Sequence, residues 1–395
     1  MLSKQYVDML QEKDIIFEIA GQGRQRAQEI GADNVFNFSL GNPSVPAPPV
    51  VNETIINILN SRPPQDVHSY GPSAGLPEAR QAIADSLRRR FGLPYEAKHI
   101  FMSVAAAGAL AHAFRAVVQP GEEVLTFAPC FSEYKPYVTG AGGVLKIVPA
   151  DVDTLQINFE ALDEMMNPNV AAVLVNSPNN PSGVVLSTPM LDRLAAYLTA
   201  KQEEYGHTIY LISDEPYREI IFEGVDAPVI AAHYPNTISC YSFSKSLSLP
   251  GERIGYLAVN PAAENAETII DICPQISRTI GHNGAPTLMQ IAVALCADET
   301  GNLKVYEENK NILYQAMTEY GYTCVEPGGT FYMFPRSLEP DDVAFCKKAQ
   351  ELDLFFIPGS AFGCPGHFRL AYCVPEEKVL RALPKLKQLA EMYGK

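Results

Sequence analysis

The chain has 395 residues, 47% of them hydrophobic and 19% charged, with a formal net charge of −15. That length suggests about two domains, the composition is that of a globular protein, and the acidic balance argues against nucleic-acid binding, which wants a basic surface. Eight cysteines at 130, 240, 273, 296, 324, 346, 364 and 373 make no Cys-x-x-Cys pair and no Cys/His set of zinc spacing, so no metal is expected and the thiols read as reduced and packed in a cytoplasmic protein. There is no apolar signal core at the N-terminus and no run of roughly 18 apolar residues, so neither export nor a membrane span is expected.

Residues 1–31 read as a helical arm, with Ile15, Ile16, Ile19 and Ala20 on one stripe and Gly31 ending it. A short strand over 35–40 leads to Gly41, which is either an ordinary turn glycine or a point of close ligand approach. Pro46, Pro48 and Pro49 follow as a stiff connector. The loop 69–75, with Tyr70, precedes a helix opened by Pro77, and Arg88, Arg89 and Arg90 read as its solvated last turn. Residues 100–102 then run into an Ala-rich helix start at Ala105, Ala106 and Ala107. Its bare amides suit a phosphate, and close helix packing explains the same residues.

Strands are expected at 123–127, 144–148, 171–175, 208–212, 237–243 and 254–259, with a helix from 188 to about 204. Short apolar strands separated by helices make an α/β fold with a mostly parallel sheet covered on both faces. Ligands in such sheets sit at the carboxyl ends of the strands. Phe131, Asn180, Asp214 and Lys245 each follow one of these strands. Lys245 stands in a hydroxyl-rich turn with Ser242, Ser244 and Arg253 nearby. A desolvated lysine loses proton affinity and becomes a nucleophile, and the hydroxyls with the guanidinium suit a phosphate beside it. The physical reading is a lysine that forms a Schiff base with a phosphorylated aldehyde. After about 286 the texture becomes that of a smaller α+β domain: helix over 287–320, whole or broken near 300, strand-like 322–325, 330–334, 354–357 and 368–372, and helices near 341–351 and 376–392. The division expected is 46–286 for a large cofactor-binding domain and 1–45 plus 287–395 for a small one.

Three motifs, Asn176-Ser177-Pro178-Asn179-Asn180-Pro181-Ser182-Gly183, Asp214-Glu215-Pro216-Tyr217 and the stretch from Ser242 to Tyr256, stand in this order along the chain. Together they resemble the fold-type-I, pyridoxal-phosphate-dependent aminotransferases of class I/II, over nearly the whole length from Gly41 to Arg369. The resemblance implies pyridoxal 5'-phosphate carried on Lys245, which then acts as acid and base, with Asp214 pairing the pyridine nitrogen. It implies that Asn180 and Tyr217 bond the phenolic oxygen and that Phe131 stacks on the ring. The phosphate would rest on the amides of Ala106 and Ala107 with Ser242 and Arg253, although relatives often have a hydroxyl residue at 107 and a glycine at 105. Tyr70 matches a tyrosine donated by a neighbouring subunit, which implies a homodimer with shared sites. Arg369 matches the clamp for the substrate α-carboxylate, with Gly41 adding a backbone donor. Arg278 is comparable to a side-chain-binding arginine given across the dimer, and His282 and Tyr332 either line the pocket or pack. The activity implied is ping-pong transfer between an L-amino acid, aspartate by default, and a 2-oxo acid such as 2-oxoglutarate. Two rivals share the scaffold: a C–S β-lyase or aminocyclopropane-carboxylate-synthase-like enzyme, and a non-catalytic regulator.

Overall fold

The structure, a computed structural model, describes residues 2–10 and 15–395. Residues 1 and 11–14, part of the expected arm, lie outside the described residues; the remainder of the arm contains helices Lys4–Met9 and Ile15–Ile30. In chain order the strands are β1 (Phe36–Asn37), β2 (Ile100–Ser103), β3 (Glu123–Phe127), β4 (Val144–Val148), β5 (Val170–Asn176), β6 (Tyr210–Asp214), β7 (Thr237–Ser242), β8 (Gly255–Val259), β9 (Tyr332–Met333), β10 (Leu354–Phe355), β11 (Ile357–Pro358) and β12 (Phe368–Ala371).

Seven strands build the central sheet in the order β2-β8-β7-β6-β5-β3-β4. All pairings are parallel except those of β8, which runs against both β2 and β7. Every residue of β5 to β8 is buried, as covering on both faces requires. Side chains alternate between the two faces. Leu174 and Ile212 meet Leu110 and Phe114 of helix Ala105–Val117 and Ile269 of helix Ala266–Ile280. Val173, Val175 and Leu211 meet Leu191, Leu194 and Leu198 of helix Thr188–Tyr205. A third cluster joins β2 and β8 to Ile58, Ile83 and Leu87. The fold is thus the α/β one expected, with a mostly parallel sheet between helical layers.

A second core gathers Leu313, Phe331, Phe345, Phe356, Phe368 and Leu386, around the short antiparallel sheet β11-β12-β9 and helices Lys304–Glu319 and Glu376–Glu391. β1 pairs in parallel with β10, so the N-terminal segment is bound to this later part of the chain. Among the described residues no helix is long and apolar enough to cross a membrane.

Four local expectations change. The proline connector continues into helix Pro49–Ser61, because Pro49 stands at the first helical position, where its missing N–H costs nothing. Among the described residues, 322–325 have no ladder partner; Tyr322 N instead donates to Met317 O and closes the preceding helix. The arginines of the Pro77–Phe91 helix are ion-paired rather than simply solvated: Arg88 with Asp85, Arg89 with Asp298 and Arg90 with Glu219. Helix Thr287–Leu295 packs Met289 and Ile291 with Ile58, Ile83 and Leu87, on the large-sheet side of the expected boundary.

Gly255 fixes how close helix Ala105–Val117 comes to the sheet. A Cβ there would meet Tyr241 O at 2.3 Å and the Ala105 Cα at 2.9 Å, both backbone. Gly255→Ala is therefore expected to destabilise the fold by about 1–3 kcal/mol, read as a lower urea midpoint; an unchanged midpoint would show that strand and helix can part there.

Candidate active site

Parallel pairing in register brings the ends of the central strands level, with Asn176 opposite Asp214 and Asp214 opposite Cys240. A cavity of about 290 Å³ opens over these ends. Its walls include Phe131, Asn180, Asp214, Tyr217 and Lys245, and the start of the Ala105–Val117 helix at Ala105, Ala106 and Ala107. Ser242, Arg253, Gly41 and Arg369 also border it. The four strand-end residues thus face one space.

Lys245 lies on a single helical turn, Phe243–Ser246, directly after β7. Its Nζ donates to Gly41 O at 2.8 Å. Burial pushes the amine down to about 8, while Arg253 and Arg369 push in the same direction. Glycine at 41 lets the backbone pass close to Tyr332, because a Cβ there would lie 1.7 Å from Tyr332 Oη. The contact that Gly41 makes to Lys245 is through its carbonyl.

Asp214 ends β6 and is buried, which pushes its carboxyl up to about 7; the Tyr134 hydroxyl works against that shift and Glu215 adds to it. Tyr134 Oη donates to Oδ2 at 2.6 Å, whereas Oδ1 is buried with no hydrogen-bond partner among the described residues. Asn176 ties the corner together: its Nδ2 donates to Asp214 O at 2.8 Å and its Oδ1 accepts from Asn180 N at 2.7 Å. Beneath, Arg218 Nη1 pairs with Glu215 Oε2 at 3.0 Å and Nη2 donates to Tyr256 Oη at 2.7 Å, binding the segment after β6 to β8.

Arg369, on β12, is buried. Nη1 donates to Asn180 Oδ1 at 3.0 Å and Nη2 to Ser39 O, and the guanidinium lies 4.7 Å from the Tyr332 ring centroid. Its Nε is buried without a hydrogen-bond partner among the described residues. Tyr217 Oη and Tyr332 Oη are 3.2 Å apart. Ser242 Oγ accepts from Ser244 N at 3.1 Å and lies 2.7 Å from Ser244 Oγ. The Ala105–Val117 helix has no side-chain cap, so its first amides keep their donor capacity. Arg253 stands beside it on an exposed turn with φ of 53°.

Tyr70 and Arg278 are not brought to this cavity by the single chain. Tyr70 is fully exposed beside a second cavity that Asn283 and Gly284 also border. Arg278 is exposed on helix Ala266–Ile280, with Nη1 donating to Gln275 Oε1 at 2.9 Å. His282 is exposed and does not border the cavity, whereas Tyr332 does; the turn after the helix carries His282 away. Sequence reasoning missed Tyr134 and the bridging part of Asn176. The spacing Phe131-x-x-Tyr134 was the available signal, since residues three apart share a side of a helical turn.

The sequence profile of the family described as Aminotransferase class I and II matches residues 33–386. The aspartate aminotransferase of Thermotoga maritima is 29% identical over 363 residues, covering 90% of this chain and 91% of that protein. A probable aspartate/prephenate aminotransferase of Thermus aquaticus is 31% identical, covering 81% and 83%. Among solved structures, an amino transferase from Eubacterium rectale superposes with a TM-score of 0.97 at 40% identity, covering all of both chains. The Thermus thermophilus aspartate aminotransferase with maleate gives a TM-score of 0.85 at 26% identity, covering 98% and 99%. With the strand-end cavity, the buried lysine and this match along its length, the chain belongs to the class I and II aminotransferase family and is an aminotransferase.

Proposed function

We propose that this aminotransferase holds pyridoxal 5'-phosphate in the cavity around Lys245 and moves an amino group from an aspartate-like L-amino acid to a 2-oxo acid such as 2-oxoglutarate. The observation that carries the reading is the buried, unpartnered Oδ1 of Asp214 in a cavity that Lys245 and Arg369 share. Such an oxygen needs a donor, and a protonated pyridine nitrogen is one. The uncapped first turn at Ala106 and Ala107, with Ser242 and Arg253 nearby, suits the phosphate. Lys245 would hold the aldehyde carbon, Phe131 would cover a ring face, and Asn180 and Tyr217 would bond the phenolic oxygen. Bound there, the cofactor supplies an electron sink for negative charge at the substrate α-carbon.

The chain's own residues do the remaining work. The Arg369 fork binds the α-carboxylate in two-point fashion, and Gly41 gives its backbone to the same end of the substrate. Lys245 Nζ, neutral in part because it is buried, moves the proton at the substrate α-carbon. The first product leaves before the acceptor enters, a ping-pong order that one carboxylate clamp serving both substrates favours. The relatives' names support aspartate as donor and do not favour a lyase or a regulator. We place the working unit in a cytoplasmic homodimer, in which Tyr70 reaches the phosphate of the neighbouring site and Arg278 a side-chain carboxylate. The exposure of both residues and eight free thiols are in keeping with this. We take the large lobe as 46–286 extended by the Thr287–Leu295 helix, and the small lobe as 1–45 with the rest of the C-terminal part.

The reading is tested by the visible spectrum of the cofactor-loaded protein as single amino acids are added without acceptor. Spectral conversion by aspartate at the lowest concentration is expected; pyruvate accumulating from a thioether substrate would move the protein to the lyases. Lys245→Ala is expected to lower turnover by at least a thousandfold while leaving cofactor bound, and full activity would reject the lysine's role. Arg278→Ala should reduce kcat/KM for aspartate far more than for alanine; equal losses would reject its contact with the side chain. In the cofactor-free chain, reductive methylation of Lys245 should rise with a midpoint near pH 8, and a midpoint at the ordinary lysine value would contradict its burial. Since the folded chain binds fewer protons than the unfolded one between that midpoint and the ordinary value, this group makes stability rise with pH across the window.

A further inference from the structure

We propose that Tyr134 is a positioning residue for Asp214: its hydroxyl fills one carboxylate oxygen, leaves the other as the single acceptor facing the cavity, and favours the ionised form of the group. This rests on the reading of Asp214 as the partner of the cofactor's ring nitrogen.

Tyr134 opens the short helix Tyr134–Gly140 and is almost wholly buried. Its ring stands edge-on to Phe131, with centroids 5.8 Å apart, and its backbone N donates to Phe131 O at 3.2 Å. The ring-covering phenylalanine and the carboxylate-holding tyrosine are therefore one rigid unit. An ionised carboxylate is an acceptor only. Tyr134 Oη meets Oδ2 at 2.6 Å, while the side chain of Asn176 is spent on the Asp214 main-chain carbonyl. Among the described residues, Tyr134 is the one side chain that donates to the carboxylate.

Lys245, Arg253 and Arg369 border the same cavity as Asp214, but the other ionisable groups in electrostatic contact with its carboxylate bring no positive charge. Tyr137 comes from the same helix as Tyr134, Glu215 and Tyr217 follow in the chain, and Cys240 lies beside it on β7. Burial holds the phenol of Tyr134 far above its ordinary value, so it remains a donor. Without that hydroxyl, both carboxylate oxygens would be buried and unsatisfied. The group would be free to turn about its broad terminal torsion, and desolvation would favour the protonated form.

The test is an infrared titration of the cofactor-free full chain between pH 5 and 9. The protonated-carboxyl band of Asp214 is assigned as the one missing from Asp214→Asn. Tyr134→Phe keeps the ring and removes one oxygen. It should move the band's midpoint to higher pH by about one to two units, the size expected for losing one hydrogen bond to a charged group. A midpoint that is unchanged or lowered overturns the proposal. A purely packing role for Tyr134 would lower thermal stability without moving the midpoint, so that outcome also counts against it. A second measurement leaves Tyr134 in place. In a chain carrying 13C at tyrosine Cζ, a resonance that survives both Tyr137→Phe and Tyr217→Phe should move with the Asp214 midpoint and stand still in Asp214→Asn; its absence overturns the contact. The amino-acid half-reaction of cofactor-loaded Asp214→Asn separates the two readings. Wild-type rates there reject the cofactor role of Asp214, whereas an unmoved infrared midpoint rejects the part played by Tyr134.

Discussion

A carboxylate buried at the end of the central strand is costly unless it is paired or hydrogen-bonded, and much of the site follows from how that cost is met. β6 is enclosed on both faces, so Asp214 is buried apart from the cavity it borders. One oxygen takes the Tyr134 hydroxyl and the other is left without a partner inside the cavity. A protein that needed only stability would have satisfied both oxygens or put an apolar residue there. On the proposed reading, the half-satisfied carboxylate would seat a cationic group from a ligand. Lys245 is the complementary case. Enclosure destabilises its charged form and leaves an amine nearer to neutrality than a surface lysine, with a single carbonyl to hold it.

These two groups come together because the sheet is parallel and in register. Parallel strands return to the same edge by way of a helix, so successive strand ends, with the loops after them, collect on one side. Phe131, Asn180, Asp214 and Lys245 are separated by tens of residues yet border one cavity. The reversed strand β8 adds the other requirement. Gly255 at its start lets the Ala105–Val117 helix approach, which brings unpaired amides to the same edge. The buried Arg218, bonded to Glu215 and Tyr256, braces the segment after β6 against β8.

The lobe built around Phe331, Phe345 and Phe368 closes the site from the other side. Its β12 carries Arg369, and its β10 pairs with β1, which positions Ser39 and Gly41. The guanidinium is bonded to Asn180 of one lobe and to Ser39 beside the other. A substrate carboxylate arriving there would join groups that belong to both cores. Among the described residues the Nε of Arg369, like Oδ1 of Asp214, has no hydrogen-bond partner, and on the proposed reading that capacity would go to a ligand.

The central strands, their carboxyl-end side chains and the motif around Lys245 were legible in the sequence, because apolar runs of strand length between helical patterns encode a local period and a turn. β3 and β4 were read to the residue, and helix Thr188–Tyr205 to within one. The short strands of the smaller lobe were less legible, and 322–325 was misread. Two-residue ladders such as β9 and β10 exist only through their partners, and nothing in the local pattern separates them from an apolar loop. The same holds for the site. Residue type and order put a lysine, an aspartate, an asparagine and an arginine forward as candidates for one site, and all four border one cavity. Only the tertiary structure decided that Tyr134 would take one oxygen of Asp214, that Gly41 would meet Lys245 through its carbonyl, and that Tyr70, Arg278 and His282 would lie outside the chain's own cavity. Those outcomes depend on distances between segments far apart in the chain, which the packing of two cores sets and no local period records.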